Sequence, residues 1–211
     1  MQKWIRLGSE VYAADYAEEG FVKIAEHTFL GPVAQLESGV YGGSALRFAG
    51  IEGTAPADNG LTEGWLGFMD GEFPEVKLTC VLQASGGHAR MRHVFSGEGC
   101  LLGGETLTLT ALALKKAPRL YAYEEGELTE VAAQEGLLPF GTLVAETEEG
   151  AVLVTGGEFF AVANDEEGFC LAAEIRPEED VDLNQDGPFT TDWVEIIMGD
   201  SVQSVIAALE E

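Results

Sequence analysis

The chain has 211 residues, with 11 lysines and arginines against 37 aspartates and glutamates, so its formal net charge is −26. Binding to nucleic-acid phosphates or to anionic lipid headgroups requires clustered basic side chains, and this composition therefore argues against both kinds of partner. Apolar residues make up 46% of the chain, which is enough for a hydrophobic core and argues against disorder.

The negative charge lies mainly in the second part of the chain. Residues 1–120 carry a formal charge of −4, whereas residues 121–211 carry −22 and contain a single basic residue, Arg176. Most of these acids stand between apolar runs, where we expect turns. We therefore expect them to be solvated and only weakly coupled to one another at ordinary ionic strength.

Short apolar runs separated by glycine-containing turns predict a series of β-strands. The first third of the chain is the least regular, with candidate strands at 21–30, 33–36, 40–48 and 65–69 and a turn-rich loop at 54–62. From Val76 onward the runs follow one another more regularly, and the predicted strands are 76–83, 89–95, 107–114, 119–123, 127–131, 141–147, 151–155, 158–163 and 169–175. Two-residue glycine turns, such as Gly86-Gly87, are typical of hairpins and so predict antiparallel pairing.

One helix is predicted, near residue 211. Asp200 is its predicted cap, Gln203 stands at the capping-box position, and the apolar face consists of Val202, Val205, Ile206 and Leu209. We therefore predict an all-β fold, an antiparallel β-sandwich of supersandwich or jelly-roll type with one short C-terminal helix. Residues 1–211 are expected to form a single domain, either a whole protein or a fragment of a larger chain.

The three cysteines, Cys80, Cys100 and Cys170, lack the spacing of a metal site. Their odd number and the apolar surroundings of two of them indicate reduced thiols, which are typical of the cytoplasm. The first residues lack the apolar stretch of a signal peptide, and no segment approaches the ~20 apolar residues of a membrane span. The sequence therefore predicts a cytoplasmic protein with no membrane partner.

A calcium-loop pattern occurs near the end of the sequence. Asp182, Asn184 and Asp186 precede Gly187, and alternate oxygen side chains before a glycine match the first half of a calcium-binding loop. Trp193 stands at the twelfth position, where a bidentate glutamate would belong. Two interpretations therefore remain open, a calcium site and an acidic surface turn, and the missing glutamate favours the turn. No other cofactor is predicted.

An aromatic cluster gives a first hint of a binding site. Trp65 and Phe68 stand beside the predicted loop that contains Asp58 and Asn59. Aromatic rings next to short polar side chains often hold sugars, because the ring contacts the apolar face of the sugar while the polar groups orient its hydroxyls. The alternative is that Trp65 is a core or rim residue of the sandwich.

Two arginines give a second hint. Arg90 and Arg92 occupy alternate positions of one predicted strand, with His93 on its opposite face. Arginines on one face can hold a carboxylate or phosphate group of a ligand. The alternative is that they pair with the protein's own acidic residues.

Catalytic motifs are missing from the sequence. It contains no Gly-x-Ser-x-Gly, no phosphate-binding glycine loop and no histidine motif for zinc. Carboxylate pairs of the kind that glycosidases use must occur by chance among 37 acids, so they identify nothing. Whether the chain has catalytic activity stays open at this point.

Two stretches resemble the clan D glycoside hydrolases, the melibiase-like α-galactosidases and their relatives. Residues 93–109 (HVFSGEGCLLGGETLTL) resemble a strand–glycine–strand passage near the end of their N-terminal β-supersandwich, and residues 190–206 (TTDWVEIIMGDSVQSVI) resemble the transition toward their catalytic barrel. Roughly 80 residues separate the two stretches, where the family would have few. The barrel that carries the family's catalytic aspartates has no counterpart in these residues.

The resemblance implies a non-catalytic β-supersandwich that is accessory to a glycosidase, with Trp65 or Asp58 at the rim of a sugar site. We therefore predict carbohydrate as the ligand, held by Trp65, Asp58, Asn59, Arg90 and Arg92. A homo-oligomer or a missing C-terminal domain would supply further contacts. The alternative is a structural or protein-interaction module with an acidic surface and no sugar binding.

Overall fold

A computed structural model of the protein describes residues 3–7, 12–16, 20–25, 27–57, 61–166 and 168–210. Its strands are β1 (Lys3–Leu7), β2 (Tyr12–Tyr16), β3 (Phe21–Ile24), β4 (His27–Leu30), β5 (Val33–Leu36), β6 (Gly39–Gly42), β7 (Leu46–Pro56), β8 (Thr62–Asp70), β9 (Val76–Ser85), β10 (His88–Gly97), β11 (Cys100–Leu101), β12 (Leu107–Leu114), β13 (Arg119–Glu124), β14 (Glu127–Val131), β15 (Gly136–Leu138), β16 (Thr142–Thr147), β17 (Gly150–Thr155), β18 (Phe159–Asn164), β19 (Phe169–Ile175), β20 (Val181–Asp182), β21 (Phe189–Thr190) and β22 (Val194–Gly199). A 3₁₀ turn at Gly43–Ala45 precedes β7, and the helix α1 spans Val202–Glu210.

The strands form two antiparallel sheets, which we call sheet A and sheet B. Sheet A follows the order β1-β2-β3-β4-β12-β19-β18-β15, with β5, β6, β11 and β20 attached to this path. Sheet B follows the order β14-β13-β16-β17-β22-β10-β9-β8-β7, with β21 beside β10. The prediction of an all-β antiparallel sandwich with one short C-terminal helix is confirmed.

The core lies between the two sheets because the strands alternate apolar and polar residues. On β9 the inward residues Leu78, Cys80 and Leu82 are buried, and on β10 the inward residues include Met91 and Phe95. Phe160 and Leu171 of sheet A belong to the same cluster. Successive side chains of a strand point to opposite faces, so the outward residues of β9 and β10 form a separate surface.

The predicted hairpin between β9 and β10 is present. Ser85 pairs with His88, so the connection is the two-residue turn Gly86-Gly87. Gly86 has a φ of 58°, a left-handed conformation that glycine adopts without a steric penalty. The turn therefore fixes which residues of β10 face outward.

A buried carboxylate joins the two sheets. Asp70, at the end of β8 in sheet B, accepts backbone N–H groups from Gly42 of sheet A (3.0 Å) and from Glu72 (2.9 Å). Tyr41 is buried nearby, and burial together with the charge of Asp70 raises the pKa of its hydroxyl well above the ordinary value. The Tyr41 hydroxyl is therefore neutral inside the sandwich.

The first third of the chain differs from the prediction in several places. The predicted strand at 40–48 is divided between β6 and β7 by the 3₁₀ turn at Gly43–Ala45. Residues 21–30 do not form one strand, because Ala25 adopts a φ of 51° between β3 and β4 and the segment folds back as a hairpin. The predicted long loop at 54–62 is shortened at both ends by strands, since β7 continues to Pro56 and β8 starts at Thr62. The Ala57 N–H donates to the Leu61 carbonyl at 2.9 Å, so the connection is short.

The end of the sequence differs from the prediction in the strand β22 and in the residue that caps the helix. Residues 194–199 form β22 in the middle of sheet B rather than leading directly into a helix. The helix cap is Ser201 and not Asp200, because the Ser204 N–H donates to Ser201 Oγ (3.2 Å) and the Ser201 N–H donates to Ser204 Oγ (3.1 Å). Gln203 is therefore not at the capping-box position.

Helix α1 covers one part of the outward face of sheet B. Val202 and Val205 pack there against an apolar cluster formed by Val144, Ala151, Leu153 and Ile197. Within the described residues, no helix has the length and apolar character needed to span a bilayer.

Candidate carbohydrate-binding face

Three of the site residues predicted from the sequence, Trp65, Arg90 and Arg92, lie on the outward face of sheet B, beside the part that α1 covers. Trp65 lies on β8, and Arg90 and Arg92 lie on β10, with β9 between them. Val81 pairs with Trp65 on one side and with Arg92 on the other. Neighbouring strands are about 5 Å apart, so Trp65 and Arg92 are separated by about 10 Å along one row. Asp58 and Asn59 lie outside the described residues.

Larger side chains form the outer layer of this surface. Val81 and Gln83 point outward, yet only 3% and 5% of their surface is exposed. Trp65, Arg92 and Trp193 remain partly exposed. We call the surface formed by Trp65, Arg90, Arg92 and Trp193 the outer face.

Trp193 is the residue that sequence reasoning missed. The guanidinium carbon of Arg90 lies 4.4 Å from the centroid of the Trp193 ring, and that of Arg92 lies 4.6 Å from it. Contacts of this kind attract the cation to the electron-rich face of the ring. The alternate positions of Arg90 and Arg92 in the sequence indicated that both lie on one face of a strand. This pattern did not indicate which aromatic residue they contact.

A chain of side-chain contacts fixes Arg90. Its Nε–H donates to Gln83 Oε1 at 2.7 Å, and Gln83 Nε2 donates in turn to Glu63 Oε2. These residues are direct cross-strand neighbours, Glu63 with Gln83 and Gln83 with Arg90. On the other side, Arg90 Nη1 lies 4.0 Å from a carboxylate oxygen of Glu195. Arg90 is therefore held mainly through its Nε.

Arg92 has fewer partners. Among the described residues it makes no ion pair, and its Nε is buried without a hydrogen-bond acceptor. By contrast, Arg119 on β13 of the same sheet lies 2.8 Å from a carboxylate oxygen of Glu146. The contact between Arg92 and the Trp193 ring thus positions the Arg92 side chain without neutralising its charge.

Phe68 does not belong to the outer face. It points into the core and packs edge-to-face against Phe48, with the ring centroids 5.6 Å apart. The interpretation of Phe68 as a partner of Trp65 is therefore wrong, because the two residues lie three positions apart on one strand and face opposite ways. Trp65 instead pairs with Gly53 of β7, where the missing side chain leaves room for its ring.

The candidate calcium residues form a hydrogen-bonded turn. Asp182 Oδ1 accepts the Asn184 N–H (2.9 Å), its Oδ2 accepts from Gln185 Nε2 (2.6 Å), and Asp186 Oδ2 accepts the Asp182 N–H (2.9 Å). Their carboxylates therefore satisfy donors of the loop itself. In the described part of the chain, no group of three or more His, Cys, Asp or Glu residues could hold a metal ion. Calcium binding by Asp182, Asn184 and Asp186 stays a prediction.

An internal cavity lies between the sheets, away from the outer face. Its volume is about 10 Å³, and its lining includes Cys80, Met91, His93 and Thr110. Such a volume holds about one water molecule, so this cavity is too small for a sugar. Burial raises the pKa of the Cys80 thiol to about 12 and lowers the pKa of His93 to about 4, so both are neutral at pH 7. Neither group is then a ready nucleophile or acid.

The two packed antiparallel sheets define the class of protein, a large β-sandwich, and solved structures of glycosidases share its fold. The GH36 α-galactosidase AgaA from Geobacillus stearothermophilus matches 95% of this chain at 12% sequence identity with a TM-score of 0.59, and the match covers 41% of the AgaA chain. A substituted form of AgaA in complex with raffinose matches with a TM-score of 0.60 at the same identity and coverage. AgaB from the same organism matches 81% of this chain at 13% identity with a TM-score of 0.55, over 30% of its own length.

These comparisons confirm the predicted resemblance to clan D glycoside hydrolases at the level of the fold. The chain spans about two fifths of the length of AgaA and a smaller share of AgaB. No protein-family model and no curated protein matches the sequence.

Proposed function

We propose that this chain is a non-catalytic carbohydrate-binding β-sandwich that acts together with a glycoside hydrolase. The observation that carries the proposal is the outer face, where the partly exposed Trp65 lies in one row with Val81 and Arg92, and Arg92 stacks on Trp193. Aromatic rings contact the apolar face of a sugar, and fixed polar side chains orient its hydroxyls.

The state of the nearby carboxylates supports a binding role rather than a catalytic one. Glu63 accepts a hydrogen bond from Gln83. Glu195 lies close to both Arg90 and His88, at 4.0 Å and 3.6 Å. Both carboxylates thus serve to position other side chains of the outer face.

The fold shared with α-galactosidases supports the association with glycosidases and suggests the first ligands to test. The match to the AgaA variant whose structure contains raffinose covers 95% of this chain. We propose for this chain a ligand related to the substrates of those longer enzymes. Galactose and raffinose are therefore the first probes.

The test is a titration of the purified chain with galactose and with raffinose, followed by tryptophan fluorescence and calorimetry. We expect saturable binding with a Kd on the order of 1 mM, which is about −4 kcal/mol. Replacing Trp65 by alanine should weaken binding about tenfold, because an aromatic contact contributes on the order of 1 kcal/mol.

Leu137→Ala is the matched control, since Leu137 is an exposed apolar residue on β15 of sheet A. It should leave the Kd unchanged. Wild-type protein that responds to neither sugar would contradict the proposal, and so would equal affinity in the folded Trp65→Ala variant.

A protein-interaction module is the second candidate, favoured by the edge of sheet B. β7 is the last strand of this sheet and is eleven residues long. Ile51 on β7 and Met69 on the neighbouring β8 are exposed. Exposed strand edges can pair with another chain. Light scattering at increasing protein concentration tests it, since a dimer that Ile51→Lys dissociates would support this candidate, and a monomer at all concentrations would exclude self-association.

A further inference from the structure

We propose that the outer face binds a saccharide that carries an anionic group, with Arg90 and Arg92 holding that group beside Trp193. The inference rests on the proposed function and adds the chemical class of the ligand, a sugar with a carboxylate, sulfate or phosphate substituent. Three observations on the described residues support it: the shared ring contact, the fixed orientation of Arg90 and the unpaired state of Arg92.

The ring contact prepares both arginines for an anion. Both guanidinium carbons lie within 5 Å of one indole centroid, at 4.4 Å and 4.6 Å. A guanidinium that stacks on an aromatic ring keeps its N–H groups in the guanidinium plane, where they form a fork that matches two oxygens of a carboxylate, sulfate or phosphate. Trp193 therefore restricts the two side chains while leaving their donors available.

Arg90 is positioned mainly through its Nε, which leaves its terminal nitrogens without a hydrogen bond among the described residues. Its Nε–H is bound to the amide oxygen of Gln83, which carries no charge. Its ion pair with Glu195 is long, with 4.0 Å between Nη1 and the carboxylate oxygen, which is beyond hydrogen-bond distance. The terminal nitrogens of Arg90 thus remain able to donate to a ligand.

Arg92 is the strongest indication of an external acceptor. The chain has 37 acidic residues against 11 basic ones, so an internal partner is easily available. Even so, within the described ranges Arg92 forms no ion pair, and its buried Nε has no acceptor. The Nε itself is covered, but the Arg92 side chain is partly exposed. An anionic substituent would therefore pair with the terminal nitrogens of Arg92.

The neutral part of the ligand would lie along the row toward Trp65. Val81 separates Trp65 from Arg92 and is itself buried, so the row is apolar at its centre. A sugar ring on this row contacts Trp65 while its charged substituent reaches the arginines. The combined site therefore distinguishes an acidic sugar both from a neutral sugar and from a free anion.

The experiment compares four probes on the same protein: galactose, galacturonate, galactose 6-sulfate and inorganic sulfate. Galactose and galacturonate differ only at the sixth carbon, and galactose 6-sulfate tests the second anionic group. We expect at least one of the two acidic sugars to bind about tenfold more tightly than galactose and more tightly than inorganic sulfate. Ligand-observed NMR and calorimetry measure these affinities.

Arg92→Gln is the decisive variant, and Arg119→Gln is its matched control. Both remove one positive charge from sheet B, but Arg119 lies on β13 and is paired with Glu146. Arg92→Gln should reduce the affinity for the acidic sugar to that for galactose and leave the affinity for galactose unchanged. Arg119→Gln should change neither, and Arg92→Lys, which keeps the charge but not the fork, should fall between Arg92→Gln and the wild type. Circular dichroism confirms that each variant is folded.

The outcomes separate this inference from the proposed function. Galactose that binds as tightly as both acidic sugars would overturn the inference and leave the proposed function intact. Inorganic sulfate that binds as tightly as the acidic sugars would overturn it as well, since the site would then be a simple anion site. A response to none of the four probes would overturn both.

Discussion

His93 is a buried histidine on β10, and its environment has a consequence for stability. Its side chain is 2% exposed and lies directly opposite Cys80 of β9. Its Nδ1 has no hydrogen-bond partner among the residues that the structure describes. Burial disfavours the charged imidazolium and lowers the pKa of His93 from 6.5 to about 4.

We predict that the protein loses stability as the pH falls from 6.5 toward 4. In this window the histidine of the unfolded chain binds a proton while the buried one does not, so protonation favours unfolding. The difference between the two pKa values corresponds to about 3 kcal/mol, reached near pH 4 and absent above pH 6.5. Urea unfolding at several pH values measures the effect.

The comparison variant is His93→Leu, which keeps an apolar side chain of similar size in the core. Its carboxylates are those of the wild type, so only the contribution of His93 is removed. Its free energy of unfolding should fall less steeply between pH 6.5 and 4. Identical slopes for the two proteins would show that His93 is not the group responsible.

The orientation of single residues on a strand could be predicted, whereas their distant partners could not. Arg90 and Arg92 face outward and His93 inward, as the alternation predicted. The contact with Trp193 spans about a hundred residues of sequence and depends on β22 pairing with β10. No local pattern carries that information, since cross-strand neighbours are set by the sheet order.

The C-terminal helix illustrates the next scale, that of elements. Its start is fixed by Ser201 and Ser204, which exchange hydrogen bonds between their backbone N–H groups and their hydroxyls. A serine at the cap satisfies one of the free N–H groups of the first turn. Asp200 with Gln203 was predicted as the cap, and the structure places the cap one residue later, directly before Val202, which packs with Val205 on sheet B.

We predict that Ser201→Ala lowers the free energy of unfolding by about 1 kcal/mol, the ordinary cost of losing a helix cap. Gln203→Ala is the control, because Gln203 is exposed and alanine is a good helix former, so its effect should stay within about 0.5 kcal/mol. Chemical denaturation of both variants measures the difference. A larger effect for Gln203→Ala than for Ser201→Ala would restore the cap predicted from the sequence.

Strand elements with regular alternation were predictable, and irregular ones were not. The predicted bounds of Leu107–Leu114, Glu127–Val131 and Phe169–Ile175 agree with the structure. β7 was largely missed because its pairing with β8 is interrupted near Phe48 and Ile51, where the register shifts and the alternation is lost. Bulges of this kind place an extra residue in one strand, so periodicity alone cannot detect the strand.

At the scale of the whole molecule, two of the acidic turns lie at opposite ends of sheet B. Glu146 pairs with Arg119 at one end of the β13–β16 ladder, next to the turn at 148–149. The turn at 125–126 follows the other end of β13. Lys116 lies 3.6 Å from Glu148, but both side chains are largely exposed and such pairs contribute little.

We predict that the melting temperature depends only weakly on salt despite the net charge of −26. Charges at opposite ends of the sheet are farther apart than the screening length of about 10 Å at 0.1 M salt. Raising NaCl from 0.1 M to 0.5 M should therefore increase the melting temperature by no more than about 4 °C, which is about 1 kcal/mol for a protein of this size. An increase several times larger would mean that the acids crowd one surface.

Strand β22 connects two parts of the molecule that would otherwise be independent. Its outward residue Glu195 lies beside Arg90, and its next outward residue, Ile197, packs under α1. If the outer face binds a ligand as proposed, we expect a ligand that immobilises the arginines also to restrain the strand on which the helix rests. Fraying of α1 and occupancy of the outer face would then be linked equilibria, and the hydrogen-exchange rates of the helix amides would report binding from a distance.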